Sequence, residues 1–245
     1  DEPFRVNFSC QDATRYDYWK RMEFTIEQWS GLAKHAHERG LIFLSTAFSL
    51  NAFEMLAKIG IPAWKVGSGE FRSLVLLEAM VSTGAPILFS TGLANWDEIT
   101  RSVAWLRSKR APFAMLQCTS LYPTPLETVG LNVIERLRCE FGCPVGLSDH
   151  SGTMYPGLAA IARGIDILEV HVTLHRGMFG PDTTASVTFD ELSTLCCMRD
   201  ASAVMDSNPV DKDLMAERLS DVRQAFGRSL APRRFLPAGT IITAE

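Results

Sequence analysis

The chain has 245 residues, enough for one large α/β domain or two small ones with a sizeable core. Lys and Arg total 24 against 28 Asp and Glu, a formal charge of −4 with no basic block or acidic tail, so no nucleic acid or anionic membrane is expected as a partner. Hydrophobic residues make up 47% and charged residues 21%, the composition of a soluble globule, and the longest apolar runs are only strand-sized, which excludes a membrane-spanning helix. Residues 1–6 have neither a basic nor an apolar leader character, and we expect a cytosolic protein. The six cysteines, Cys10, Cys118, Cys139, Cys143, Cys196 and Cys197, form no C-x-x-C pair and are expected to be buried or idle reduced thiols.

Residues 1–25, aromatic and charged without clean periodicity, read as a long βα loop. A helical pattern over 26–39 follows. Strand-length apolar runs at 41–48, 63–68, 86–91, 113–119, 144–149 and 165–173 then alternate with helical patterns at 50–59, 73–82, 96–109, 131–141 and 154–162. Two further helices are predicted over 189–206 and 211–226. Beyond 228, Pro232, Pro237 and Gly239 punctuate the chain, and Gly239-Thr-Ile-Ile-Thr reads as a turn entering a strand. The strand ends marked by Thr46, Lys65, Thr91, Cys118, Ser148 and Glu169 step by 19, 26, 27, 30 and 21 residues, a spacing that suits repeated right-handed βα crossovers.

Polar residues in all six runs gather at their C-terminal ends, the rim where parallel α/β folds place chemistry. A contribution from every strand favours a barrel over an open sheet, whose site lies at one switch point. No G-x-G-x-x-G opens a helix after a strand, and no G-x-x-x-x-G-K-[ST] or G-x-S-x-G occurs, which removes dinucleotide, P-loop and serine-hydrolase readings.

His150 and His171 end adjacent runs, so they either hold a divalent cation or simply line a pocket, with Asp149 and Glu169 as nearby acidic candidates. His35, His37 and His175 are expected to be solvated. Lys65 precedes Val-Gly-Ser-Gly-Glu70. It can serve as a Schiff-base nucleophile, as a point charge for an anion or as a surface lysine, and because no second Lys stands at another strand end to depress its pKa, the anion contact is favoured. The hydroxyls of Thr46, Ser68, Ser90, Thr91, Thr119, Ser120, Tyr122 and Ser148 share that rim and suit a phosphate or carboxylate.

Taken in order, Phe43-Leu-Ser-Thr-Ala-Phe-Ser49, Lys65-Val-Gly-Ser-Gly-Glu70, Phe89-Ser-Thr-Gly92, Leu116-Gln-Cys-Thr-Ser-Leu-Tyr-Pro123, Gly146-Leu-Ser-Asp-His150, Leu168-Glu-Val-His171 and Gly180-Pro-Asp182 resemble the sialic acid synthase family, the N-acetylneuraminate synthases and their relatives. The resemblance runs over nearly the whole chain. It implies a (β/α)8 TIM-type barrel that condenses phosphoenolpyruvate with an N-acylated mannosamine-type aldose, or its 6-phosphate, using Mn2+ or Mg2+. It further implies that His150 and His171 hold the metal. Thr46, Lys65, Ser68, Ser120, Tyr122 and Ser148 would bind phosphoenolpyruvate, with Ser120 standing where some relatives have Asn. Glu70, Tyr122 and Asp182 would meet the sugar, and His150, His171, Glu70 and Asp182 would form the catalytic set.

The chain departs from the family pattern in two places. Family members carry two strands before the first run seen here, with a catalytic Glu in a Glu-Ile-Gly-like motif and a Lys and Gln in a Lys-x-Gln-like motif, and neither motif is found here. Relatives also continue into a small antifreeze-like domain that brings an Arg to a partner subunit's site, and the full-length protein is implied to be a homodimer. We therefore expect residues 1–227 to form a barrel lacking its first two strands, with open edges at the first and sixth runs, 228–245 to form a linker and the entry to a truncated antifreeze-like domain, and the 245-residue segment to be inactive on its own. The alternatives are a non-catalytic barrel fragment that binds sugar or a partner, and a different metal-dependent barrel aldolase or lyase.

Overall fold

The computed structural model describes residues 9–229 and 231–242. The chain divides into two compact units, Asp1–Ser202 and Ala203–Glu245. The first opens with helices α1 (Arg15–Met22) and α2 (Ile26–Glu38). Strands and helices then alternate as β1 (Ser45–Thr46), α3 (Leu50–Ile59), β2 (Trp64–Val66), α4 (Leu74–Ser82), β3 (Ile87–Ser90), α5 (Trp96–Ser108), β4 (Phe113–Cys118), α6 (Leu131–Phe141), β5 (Val145–Asp149), α7 (Tyr155–Ile161) and β6 (Ile167–Thr173). After β6 come β7 (Ser186–Thr188) and α8 (Phe189–Asp206), and then α9 (Lys212–Arg218) and α10 (Ser220–Phe226). None of the described helices is long and apolar enough to cross a membrane.

Capping fixes where several helices begin. Thr25 and Gln28 form a reciprocal capping box at α2, Asn95 and Glu98 do the same at α5, and the Ser49 hydroxyl accepts the Ala52 N–H at α3. The seven described strands pair in sequence order, every pair parallel. Successive strand residues point to opposite faces. One face carries Trp64, Val66, Ile87, Phe89, Met115, Val145 and Leu147, which pack with Leu56, Leu77, Met80, Val103, Leu106, Ile134, Leu137 and Phe141 of the helices into one buried cluster. Each such side chain contributes roughly 1.5–3 kcal/mol of burial. The alternate positions on the other face are Lys65, Ser90, Cys118, Ser148, Glu169 and His171.

That second face is concave. Lys65 on β2 and Glu169 on β6 are four strands apart, which in a flat sheet would separate them by roughly 19 Å, yet Lys65 Nζ lies 3.3 Å from Glu169 Oε2. The sheet curls enough for residues of β1, β2 and β3 to face β6 across a cavity of about 530 Å3. This is the α/β barrel-type architecture expected, seen as a curled seven-stranded sheet.

Four expectations need correction. The sixth run is not an edge, because β7 pairs with β6, His171 standing opposite Ser186 and Thr173 opposite Thr188. Residues 1–25 are not all loop. Thr14 accepts the Asp17 N–H and starts α1, while residues 1–8 lie outside the described residues. The helix expected over 211–226 is two, broken at Leu219. The turn at Gly239 forms, with Thr240 N–H donating to Pro237 O, but 240–242 are not a strand, and 243–245 lie outside the described residues.

Close approach governs one point of the sheet. A Cβ on Gly146 would collide with Ile167 O and with Leu116 Cδ2. We expect Gly146→Ala to destabilise the domain by about 1–3 kcal/mol as an overpacking change. Gly31→Ala, in the middle of α2 with open space around it, should stabilise by about 0.5–1 kcal/mol. Thermal unfolding of the two variants checks both signs, and a neutral Gly146→Ala would contradict the tight β5–β6 register.

Candidate active site

Lys65 is the middle residue of β2 and faces the concave side, its side chain only 12% exposed. Its ammonium donates to Ser90 Oγ at 2.8 Å and to Val66 O at 3.1 Å and pairs with Glu169. The three donors of the ammonium are thus directed, and the charge is fixed rather than swinging on its stem. Thr46 lies beside it, opposite Lys65 in the β1–β2 register, and both line the cavity. Glu70 turns back over the loop, its Oε2 2.6 Å from where a Gly67 Cβ would sit.

Next to this cation, polar atoms converge on a space without a side chain. A Cβ on Gly92 would lie 2.7 Å from both Cys118 Sγ and Ser68 Oγ and closer still to Ser120 Oγ. Ser68 Oγ accepts the Gly92 N–H at 3.0 Å and lies 3.6 Å from Cys118 Sγ. Cys118 in turn is 3.9 Å from Ser120 Oγ and 3.8 Å from His150 Nδ1. A lysine, two serine hydroxyls and a bare glycine make a cradle suited to an oxyanion. Ser148 is buried on β5 between Cys118 and Glu169 in register.

Aromatic and imidazole rings close the rim. The ring centroids of His150 and His171 are 5.1 Å apart, and Tyr122 lies 4.3 Å from the first and 5.9 Å from the second. His171 Nδ1 is 3.9 Å from Asp182 Oδ2. Burial, reinforced by the positive fields of His171 and Lys65, pushes His150 down to about 4, so its ring is neutral and can offer a lone pair at pH 7. Burial, with the charges of Cys118, Asp182 and Glu169, raises Tyr122 to about 12 and keeps it a neutral donor. Among the described residues no preformed set of three or more His, Cys, Asp and Glu ligands exists. Two imidazoles, one of them held neutral, can offer two nitrogen donors to a divalent cation that fills its other positions with water and substrate oxygens.

The structure thus brings Thr46, Lys65, Ser68, Ser120, Tyr122, Ser148, His150, His171 and Asp182 to one rim, with Glu70 on the adjoining loop. Other rim residues serve the backbone instead. Thr91 Oγ1 donates to Leu116 O, and Thr119 Oγ1 to Thr128 O. Asp149 is spent on Ser151, accepting its N–H and its hydroxyl, while burial raises its carboxyl above the usual range. His35, His37 and His175 are exposed, as expected. Cys118 is a buried free thiol, as expected, at the end of β4, but sequence reasoning did not place its sulfur among Ser68, Ser120 and His150. Its alternation with Gln117, which puts it on the same face as Ser148, is the signal that could have done so.

A family model described as the NeuB family matches residues 2–208. The chain is 33% identical over 197 residues to the N,N'-diacetyllegionaminic acid synthase of Campylobacter jejuni, covering 79% of this chain and 59% of that protein. It is 30% identical over 231 residues to the human N-acetylneuraminate-9-phosphate synthase, covering 94% and 64%. It therefore spans less than two thirds of the length of these curated relatives. Among solved structures, it is similar to the N-acetylneuraminic acid synthetase of Leptospira borgpetersenii in complex with citrate, with a TM-score of 0.76, 27% identity and coverage of 86% of this chain and 74% of that one.

The depressed His150 ties stability to pH. Its value in the fold lies below its ordinary 6.5, so the unfolded chain binds the proton more readily. The stability it permits is complete above about pH 6.5 and is lost as pH falls toward 4, by at most about 1.4 kcal/mol per pH unit. In chelator, chemical denaturation of the wild type and of His150→Gln between pH 7 and 5 should show a shallower decline in the variant. Parallel declines would contradict a buried neutral imidazole.

Proposed function

This chain belongs to the NeuB family, and we propose that it carries the condensing site of a nonulosonic acid synthase, joining phosphoenolpyruvate to an N-acylated mannosamine-type aldose or its 6-phosphate. The observation that carries this reading is the meeting, on one concave rim, of a fixed ammonium and a hydroxyl-lined cradle with a pair of imidazoles beside a carboxylate. The first half suits an enol phosphate that is also a carboxylate. The second suits a polyhydroxylated aldehyde. Relatives named as legionaminic acid and N-acetylneuraminate-9-phosphate synthases support it.

In this reading Lys65, Ser68 and Ser120, with Thr46 and Ser148 beside them, bind the phosphate and carboxylate of phosphoenolpyruvate, neutralising charge that persists to the transition state. Its C3 attacks the open-chain aldehyde carbon, water adds at C2, and phosphate leaves by C–O cleavage. Glu169 holds the Lys65 ammonium in place until the anion arrives. Tyr122, neutral at working pH, donates its O–H to a substrate oxygen and shields the imidazoles from solvent. Asp182 and Glu70 accept hydrogen bonds from sugar hydroxyls. His150 and His171 would hold Mn2+ or Mg2+, which when bound polarises the aldehyde.

Phosphate release from phosphoenolpyruvate, measured with and without N-acylhexosamines, tests the reading. Release that requires both substrates supports it. Cleavage of a ketose without phosphoenolpyruvate would instead mark an aldolase, and binding of sugar without turnover would mark a non-catalytic barrel.

Lys65→Met should raise the KM for phosphoenolpyruvate far more than that for the sugar, by about 10- to 150-fold, the worth of one charged contact at roughly 1.5–3 kcal/mol. If that KM and the turnover number both stay put, Lys65 is structural. Titration with Mn2+, followed by electron paramagnetic resonance, should show a site lost in His150→Ala and in His171→Ala. Equal Mn2+ binding by both variants and the wild type would remove the metal assignment.

A further inference from the structure

Asp182 poses a positioning problem. It lies in the loop 174–185 between β6 and β7, whose apolar residues Leu174, Met178 and Phe179 face solvent, so packing does not fix the segment. Its own carboxylate is 49% exposed. Yet in the reading above it must meet the sugar beside His171.

A guanidinium near the start of the loop supplies the long-range constraint. Arg176 Nη1 donates to Gly152 O at 2.8 Å, and Nη2 reaches both carboxylate oxygens of Glu191 at 2.6 Å. Glu191 also accepts from Thr188 N at 2.8 Å and from Thr188 Oγ1 at 3.1 Å, which fastens it to the end of β7 and the first turn of α8. Gly152 stands two residues after His150 with φ +70°, and a Cβ there would run into Thr184 O. The loop therefore touches the same glycine twice, through Arg176 near its start and Thr184 near its end. Between these contacts, Asp182 O accepts from Ala185 N and Ser186 Oγ.

We propose that Arg176, with Glu191, is a positioning residue that fixes the Asp182 loop against the segment following His150 and so sets the binding of the acceptor sugar. This rests on the function proposed above. The geometry needs a planar fork that bonds a carbonyl on one side and a carboxylate on the other, which the single ammonium of a lysine does not provide. As an ion pair half in solvent, the contact is worth little to global stability, whereas a displacement of about 1 Å in a reacting site can cost on the order of 100-fold. The positioning effect and the stability effect therefore separate.

The test uses Arg176→Lys, Glu191→Gln and the double variant in the full chain. We expect each to raise the KM for the N-acylhexosamine by about tenfold or more while the KM for phosphoenolpyruvate changes by less than about twofold. The double variant should be no worse than the more impaired single one. Amide hydrogen exchange should quicken in residues 177–185 and stay unchanged in β2 to β5. Two KM values that both hold or rise together, or unchanged exchange in the loop, would overturn the proposal. If the wild-type full-length protein that carries this chain condenses no N-acylhexosamine with phosphoenolpyruvate, the functional reading fails, and the exchange measurement alone decides whether Arg176 and Glu191 hold the loop.

Discussion

The meeting of Lys65 and Glu169 is the constraint on which the rest of this domain depends. Two side chains from strands four places apart touch only if the sheet bends through much of a barrel. The bend turns one sheet face into a cavity wall and its rim into a ring of converging side chains. It also takes the Lys65 ammonium largely out of water, which is tolerable because the half-exposed Glu169 carboxylate pairs with it and Ser90 and Val66 accept its remaining protons. Under the function proposed above, an anionic substrate would meet a cation already aimed by Ser90 and Val66, with Glu169 as the group it must displace or share.

The same strands do two jobs through their two-residue period. Trp64, Val66, Ile87, Phe89, Val145 and Leu147 bind the sheet to the helices. Their immediate neighbours Lys65, Ser90 and Ser148 present the chemistry. A slip of one residue in any pairing would bury a lysine among helices and expose a tryptophan to the cavity, so the packing of the outer face enforces the register of the inner one. Stability and site geometry are in this sense the same alignment, read from opposite sides of the sheet.

What the sequence made legible follows from this. The six apolar runs are strong because each buries one face in the helix layer, and helices such as Leu50–Ile59 and Leu131–Phe141 could be read to the residue from their periodicity and bounding turns. Strand β7 is invisible at that level. Ser186–Thr188 is three residues long, mostly polar, and becomes a strand because it lies against the free edge of β6. Helix α1 likewise buries no residue, so it has no apolar stripe to detect. In the site, His150, His171 and Lys65 stood out by their positions at strand ends. Cys118 also ended a run, but nothing at that level marks its sulfur as a neighbour of Ser68, Ser120 and His150, and the part played by Gly92 lies in the side chain it lacks. Arg176 was silent for a similar reason: its partners Gly152 and Glu191 lie far from it in sequence.

The pairing of β7 with β6 has an evolutionary side. His171 and Ser186 sit opposite one another, so the segment between the two strands begins and ends at neighbouring points of a rigid ladder. Such a loop can grow at little thermodynamic cost, about 0.6 kcal/mol for each doubling in length, without shifting the imidazole at its root. Its solvent-facing residues, Leu174, Met178 and Phe179, can vary without disturbing that ladder, as long as Asp182 keeps its place beside His171. The architecture thus separates residues carried on the strand ladder, the Lys65 cradle and the paired rings, from a loop hung between two neighbouring points of it. If the function proposed above holds, a change in that loop would alter the acceptor the barrel takes while leaving the strand-borne groups in place.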